Sequence, residues 1–217
     1  MIKFRIDKDY YDEGAKIYEK NSLTLEPGLT VLVGCNGSGK TTLLRQIKIL
    51  CNKDNIPVFS FNNYTDGGKE IMQHHMLFGN VMGVVENYMS SEGERINNAM
   101  AIQANKIGNF IRDHMNSKQI FILLDAVDSG LSADNIVELK RNLFDTIIQD
   151  CSDKSIEIYI VVAGNSYEMA SGENCIDTCK LTKFIPKSYS RWRKVIMESR
   201  RKKNIRYGWD DFAYGGN

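Results

Sequence analysis

The sequence predicts an α/β fold with a mostly parallel central sheet, and three observations carry that expectation. Apolar runs of strand length recur at residues 29–33, 120–124 and 156–163. Between them lie segments whose apolar residues repeat at helical spacing, notably 94–115 and 132–147. Short buried strands alternating with one-sided helices fit a layered sheet in which crossovers bring each strand back parallel.

Taken in order, residues 2–6 alternate apolar and charged side chains, which predicts a half-exposed strand. A polar turn at 9–14 and a second edge strand over 16–25 follow, so an antiparallel N-terminal edge is expected. Glu26-Pro27-Gly28 turns the chain into the buried strand 29–33, followed by a glycine-rich loop and a helix to about Cys51. Pro57 to Phe61 predicts the next buried strand and 62–68 a polar loop. Residues 69–89 hold Met72, Met76, Met82 and Met89, the pair His74 and His75, and two glycines. They predict a short helical insert, within bounds of about 66–92. Adjacent histidines diverge by about 100° on a helix, which suits surface placement better than chelation. Ile96, Ala99, Met100, Ile107, Phe110 and Ile111 form a helical stripe before the most apolar strand. Ser132 can cap a helix burying Ile136, Leu139, Leu143, Phe144 and Ile147, and a last helix is expected at 188–203.

A chain of 217 residues with 42% hydrophobic content supports one substantial core, so a single domain over 1–217 is expected. No apolar run approaches the roughly 20 residues that cross a bilayer, which predicts a cytoplasmic protein without membrane partners. The five cysteines read as reduced thiols, and Cys175 and Cys179 lack the further ligands a closed zinc site needs. Net charge is +1, but residues 180–206 carry eleven Lys or Arg against Glu198 alone. An acidic body therefore bears a basic C-terminal helical segment at about 180–206.

Gly34-Cys35-Asn36-Gly37-Ser38-Gly39-Lys40-Thr41 fits GxxxxGK[ST] in the strand, loop and helix context that gives the pattern meaning. Glycines let successive N–H groups turn inward onto phosphate oxygens, and the helix N-terminus adds positive potential. Lys40 is expected on the β and γ phosphates, and Thr41 on Mg2+. Phe121-Ile122-Leu123-Leu124-Asp125 buries a strand and ends in one carboxylate, which a metal cation would keep ionised.

Ser90-Ser91-Glu92-Gly93-Glu94-Arg95 stands at the start of the long helix, where Ser91 and Glu94 also fit a capping box. Asp128-Ser129-Gly130-Leu131-Ser132 follows the acidic strand. In this order the motifs resemble the ABC ATPase family, in its small soluble RecF-like, OLD-like and SMC-like branch. The resemblance implies a P-loop NTPase fold and an ATP and Mg2+ site built from Gly34, Asn36, Gly37, Ser38, Gly39, Lys40, Thr41 and Thr42, with Thr41 and Asp125 serving the metal. It also makes Ser91, Gly93 and Glu94 the signature residues that close the ATP site of a second copy, and Asp128 part of the D-loop. Glu92 departs from the usual signature glycine. Only 51 residues separate Lys40 from Ser91, too few for a transporter's helical subdomain or a long coiled coil. No glutamine follows the strand at 57–61, where Asn62 or Asn63 could substitute.

Ala126 stands where this family places a glutamate that activates the attacking water, a task beyond a methyl group. The expectation is an ATP-trapping chain deficient in hydrolysis, through either an engineered exchange or a natural one. Asn165 takes the place of the switch histidine. Tyr10, Tyr11 and Tyr18 are candidates to stack on adenine, with core packing the plainer alternative. Arg191, Arg193, Lys194, Arg200, Arg201, Lys202 and Lys203 could meet nucleic acid, an effector protein or the acidic body of another copy. The functional expectation is an ATPase that dimerises head to tail around ATP and drives a DNA-related or effector process. A non-hydrolysing regulatory or scaffold module is the alternative.

Overall fold

The computed structural model describes residues 1–8, 16–67 and 92–208; side chains at 66–67 and 92–101 lie outside that description. β1 (Ile2–Arg5) and β2 (Ser22–Leu25) pair antiparallel as a two-stranded sheet of their own. β3 (Gly28–Val33), β4 (Val58–Asn62), β5 (Gln119–Asp125), β6 (Glu157–Ala163), β7 (Asn174–Asp177) and β8 (Thr182–Phe184) form the main sheet in the order β4-β5-β6-β3-β7-β8. Its pairings are parallel except the last, β7 with β8.

Alternation along the strands sends side chains to two cores. Val31, Ile122, Leu124, Ile160 and Val162 meet α2 (Glu92–Asp113) through Ile107 and Ile111. They also meet a helical run made of α3 (Ala133–Leu139), a wider-wound stretch Lys140–Asp145, and α4 (Thr146–Asp153), and the short α5 (Tyr167–Ala170) through Met169 and Ala170. Leu32, Phe121, Leu123, Tyr159 and Val161 face α1 (Lys40–Lys53) and the N-terminal hairpin. In α1, Leu43, Ile47 and Cys51 recur every four residues and are fully buried, each large aliphatic contributing roughly 1.5–3 kcal/mol. Asn55, at φ +54°, ends that helix in the left-handed conformation asparagine tolerates. The hairpin is pinned by Phe4 edge-on to Phe121, and by Gln46, which exchanges two hydrogen bonds with the Asp7 backbone.

Several expectations need correction. Of the expected loop 62–68, the described residues 62–67 are not open: Asn62 Oδ1 accepts from the N–H groups of Tyr64 and Thr65 and nucleates a helical turn, Asn63–Gly67. The second strand occupies only 22–25 of the expected span, because Glu19 N–H is drawn to Cys179 O instead of a strand partner. The segment 180–206 is helical only from residue 189: β8 takes up 182–184, and α6 (Tyr189–Arg206) begins after Ser188, whose hydroxyl accepts from Arg191 N–H. Ser132 occupies the cap position of α3 but makes no bond to the helix amides; its hydroxyl goes to Asp134, holding that carboxyl below its usual range. The expected insert falls largely outside the described residues, as do His74 and His75.

Candidate functional site

The carboxyl ends of β3, β4, β5 and β6 lie side by side, with Asn62 opposite Asp125 and Asp125 opposite Ala163 in register. Ligands of parallel α/β sheets bind at this edge. β3 leads into the glycine-rich loop through Gly34, where an added Cβ would lie 2.2 Å from Thr178 Oγ1 and 2.3 Å from Ser38 Oγ. Those two hydroxyls are 2.9 Å apart and buried, so the loop closes over them only without a side chain at 34. Gly37 and Gly39 take φ of +76° and +97°, turning the chain into the first turn of α1.

Lys40 is buried, and its Nζ donates to Gly34 O at 2.7 Å and Cys35 O at 3.4 Å. Burial lowers its pKa, opposed by Cys35, Asp128 and Asp125. Asp125 is buried beside it, hydrogen-bonded to the Thr41 side chain, and accepts at Oδ2 from Asn62 Nδ2 at 2.9 Å. Burial raises its carboxyl pKa, while Thr41, Lys40, Arg45 and Asn62 pull the other way. A hydroxyl against a desolvated carboxylate fits Mg2+, which takes few protein ligands and completes its shell with phosphates and water. Among the described residues no three His, Cys, Asp or Glu cluster as an all-protein metal cage. Bound there, Mg2+ would neutralise phosphate charge.

Gly37, Lys40, Thr41, Asp125, Ala126 and Asn165 face a common cavity of about 450 Å3, also reached by Thr42. Ala126 is buried at φ +58°, and its carbonyl accepts from Asn63 Nδ2. Asp125 is the sole carboxylate among the described residues lining the cavity. Asn165 Nδ2 donates to Ser129 Oγ at 3.3 Å, and the Tyr64 hydroxyl contacts the same oxygen at 2.9 Å. Asp128 does not line the cavity. Its Oδ2 accepts from Asn165 N–H, Ser166 N–H and Ser166 Oγ, tying the turn after β5 to the loop after β6. Ser91, Tyr10 and Tyr11 lie outside the described residues, and Gly93 and Glu94 are placed only as backbone in the first turn of α2. Tyr18 is buried and donates to Gly39 O at 2.8 Å, so it supports the loop from below and has no face for a base.

The sequence did not reveal the role of α6. Ser199, fully buried, accepts from Cys35 N–H at 2.8 Å, Lys203 Nζ donates to Asn36 O at 3.1 Å, and Arg206 Nη2 donates to Ile17 O at 2.7 Å. The spacing 199, 203 and 206 marks one helical face, a signal hidden inside the charge run. Lys202 pairs with Glu19. Arg191, Arg193, Lys194, Arg200 and Arg201 remain exposed.

A family model described as "AAA ATPase domain" matches residues 16–204. The chain belongs to this AAA ATPase domain family. It is accordingly an ATP-binding ATPase domain. The DNA replication and repair protein RecF of Limosilactobacillus fermentum is 36% identical over 69 residues, 32% of this chain but 17% of that protein. The chain thus corresponds to a small part of that relative's length. A crystal structure of a DNA replication initiation factor aligns with 84% of this chain and 46% of its own, at 14% identity and a TM-score of 0.35. Among the described residues of this ATPase domain no helix is long and apolar enough to cross a membrane.

All five cysteines of the domain are buried free thiols, and burial pushes Cys175 up to about 12 and Cys179 to about 11. Cys175 and Cys179 are therefore poor nucleophiles and poor metal ligands.

Proposed function

We propose that this chain is an ATP-dependent switch that closes head to tail with a second copy around two Mg-ATP molecules and holds them with little or no turnover. The observation that carries this reading is one cavity shared by the glycine-rich loop, the Thr41–Asp125 pair and Asn165, with the Ala126 methyl where a water-activating carboxylate would stand. Main-chain amides of Gly37 to Thr41 and the Lys40 ammonium would grip the triphosphate, with Lys40 moving from the Gly34 carbonyl to phosphate oxygen. Ser91 and Gly93 of the second copy would cover the exposed side of the phosphates.

The partner reading is DNA-related, supported by similarity to the DNA replication and repair protein RecF and by the exposed arginines and lysine of α6. Duplex DNA affinity should then fall steeply between about 50 and 200 mM salt; a flat response would remove phosphate contacts from the proposal. The rival, a domain for which ATP is a structural ligand alone, is favoured by the lack of a second carboxylate among the described lining residues. Ala126→Glu separates the two. Ala126 already occupies the left-handed backbone region, so the longer side chain adds little backbone strain. Under the switch reading the variant turns over Mg-ATP, whereas the unaltered chain forms a stable dimer by light scattering. A monomer at saturating ATP would refute closure, and an inert Ala126→Glu variant would leave the structural-ligand reading.

A further inference from the structure

We propose that the last turn of α6 builds the nucleobase end of the ATP cavity, with Tyr207 as the stacking surface and Arg206 as the polar group beside it. This rests on the ATP-site reading above and adds the recognition element that the glycine-rich loop cannot supply, since main-chain amides and Lys40 see only phosphates.

The metal-binding pair Thr41 and Asp125 fixes where the terminal phosphates belong. Beyond Gly39 the cavity is walled by Ile17, Arg206 and Tyr207. Ile17 packs so closely on Gly39 that an added Cβ there would lie 2.6 Å from its Cγ2 methyl, which places this apolar side chain directly beside the phosphate loop. Tyr207 is 51% exposed, a large aromatic surface at a polar cavity. Arg206 is anchored through Nη2 to Ile17 O, while its Nη1 is buried with no hydrogen-bond partner among the described residues. Arg206 also lines the cavity, so a ribose or α-phosphate oxygen arriving there would meet a cationic donor group.

The helix is held firmly enough for this work. Ser199 to the Cys35 amide and Lys203 to the Asn36 carbonyl fasten two earlier turns of the same face to the loop itself. An aromatic side chain on a docked helix presents its face with little entropy left to lose, and stacking tolerates any base because every base has a π face.

The full-length chain is titrated by calorimetry with ATP and, separately, with inorganic tripolyphosphate, each with Mg2+. The unaltered chain should bind ATP more tightly than tripolyphosphate. Tyr207→Ala should weaken ATP roughly tenfold and leave tripolyphosphate unchanged, while Tyr207→Phe keeps the original ATP affinity. Lys40→Ala should weaken both ligands. Equal ATP affinity in Tyr207→Ala and the parent overturns the base-stacking role, as does equal loss of both ligands, which would mean that the helix end merely braces the loop. If the parent binds neither ligand, the ATP-site reading itself fails, and this inference with it.

Discussion

The two ends of the cavity are built in different ways. At the phosphate end a contiguous run, Gly34 to Thr41, makes its own geometry, and Asp125 arrives at the end of an apolar strand of the same sheet, β5, separated from β3 by β6. At the other end Ile17 comes from the segment before β2, while Arg206 and Tyr207 come from the end of the last described helix, 189 residues from Ile17 for Arg206. The first end is local and is coded as a motif. The second exists only because α6 docks on the loop, so its integrity depends on long-range contacts.

The sharpest way to break the first end is Gly34→Ala. The new methyl would sit within 2.3 Å of two buried hydroxyls that have nowhere to withdraw, since Ser38 and Thr178 bond each other and Thr178 also holds Val33 O. The expected cost is about 3 kcal/mol of unfolding free energy, with loss of ATP binding. Chemical denaturation alongside nucleotide titration checks it, and a variant of unchanged stability would show that the loop can rearrange freely.

Ser199→Ala breaks the second end more gently. The buried Cys35 N–H would lose its acceptor, costing about 1–3 kcal/mol, and the face of α6 that carries Lys203 and Arg206 would loosen. Inorganic tripolyphosphate should still bind, because the loop glycines and Lys40 are untouched, whereas the preference for ATP over tripolyphosphate should shrink. Loss of both ligands to the same degree would contradict the division of the cavity into a local and a docked end.

The same contrast explains what was legible in the sequence. Period-2 and helical repeats located the main strands and helices, because burial of one face imposes that spacing on the chain itself. The glycine-rich loop and Asp125 were legible for a similar reason: one stretch or one strand end suffices. The β7 and β8 pair escaped notice because its strands span four and three residues, and the connecting 178–181 turn contains neither glycine nor proline. Leu181 takes φ +52° there, a conformation that no local preference of leucine announces. The docking face of α6 was obscured differently. Lysine and arginine are ordinarily solvent-facing, so Lys203 and Arg206 looked like their exposed neighbours Arg200 and Arg201 until the contacts with Asn36 and Ile17 set them apart. Tyr18 shows the converse, an aromatic residue near the loop that serves as its support from beneath.

The smallest effect, and the most discriminating about the phosphate end, is expected from Asp125→Asn. Burial raises the carboxyl pKa above the usual value near 3.8, so the folded chain binds a proton there more readily than the unfolded chain. Stability from such a group is fully present below its unfolded value and is lost as pH rises through the folded one. At neutral pH the ionised carboxylate is therefore a standing penalty in the nucleotide-free protein. Asparagine keeps the shape, can accept from Asn62 and can donate to the Thr41 hydroxyl, while Lys40 retains the Gly34 and Cys35 carbonyls. Without ligand the variant should be more stable by about 1 kcal/mol at neutral pH, with the gain shrinking on acidification as the parent carboxylate takes up its proton. Mg-ATP should reverse the ranking, because a cation rewards the carboxylate and not the amide. Thermal unfolding with and without Mg-ATP at two pH values reads both signs, and an Asp125→Asn variant less stable than the parent in the absence of ligand would mean that the buried carboxylate is compensated by its neighbours rather than held ready for a metal.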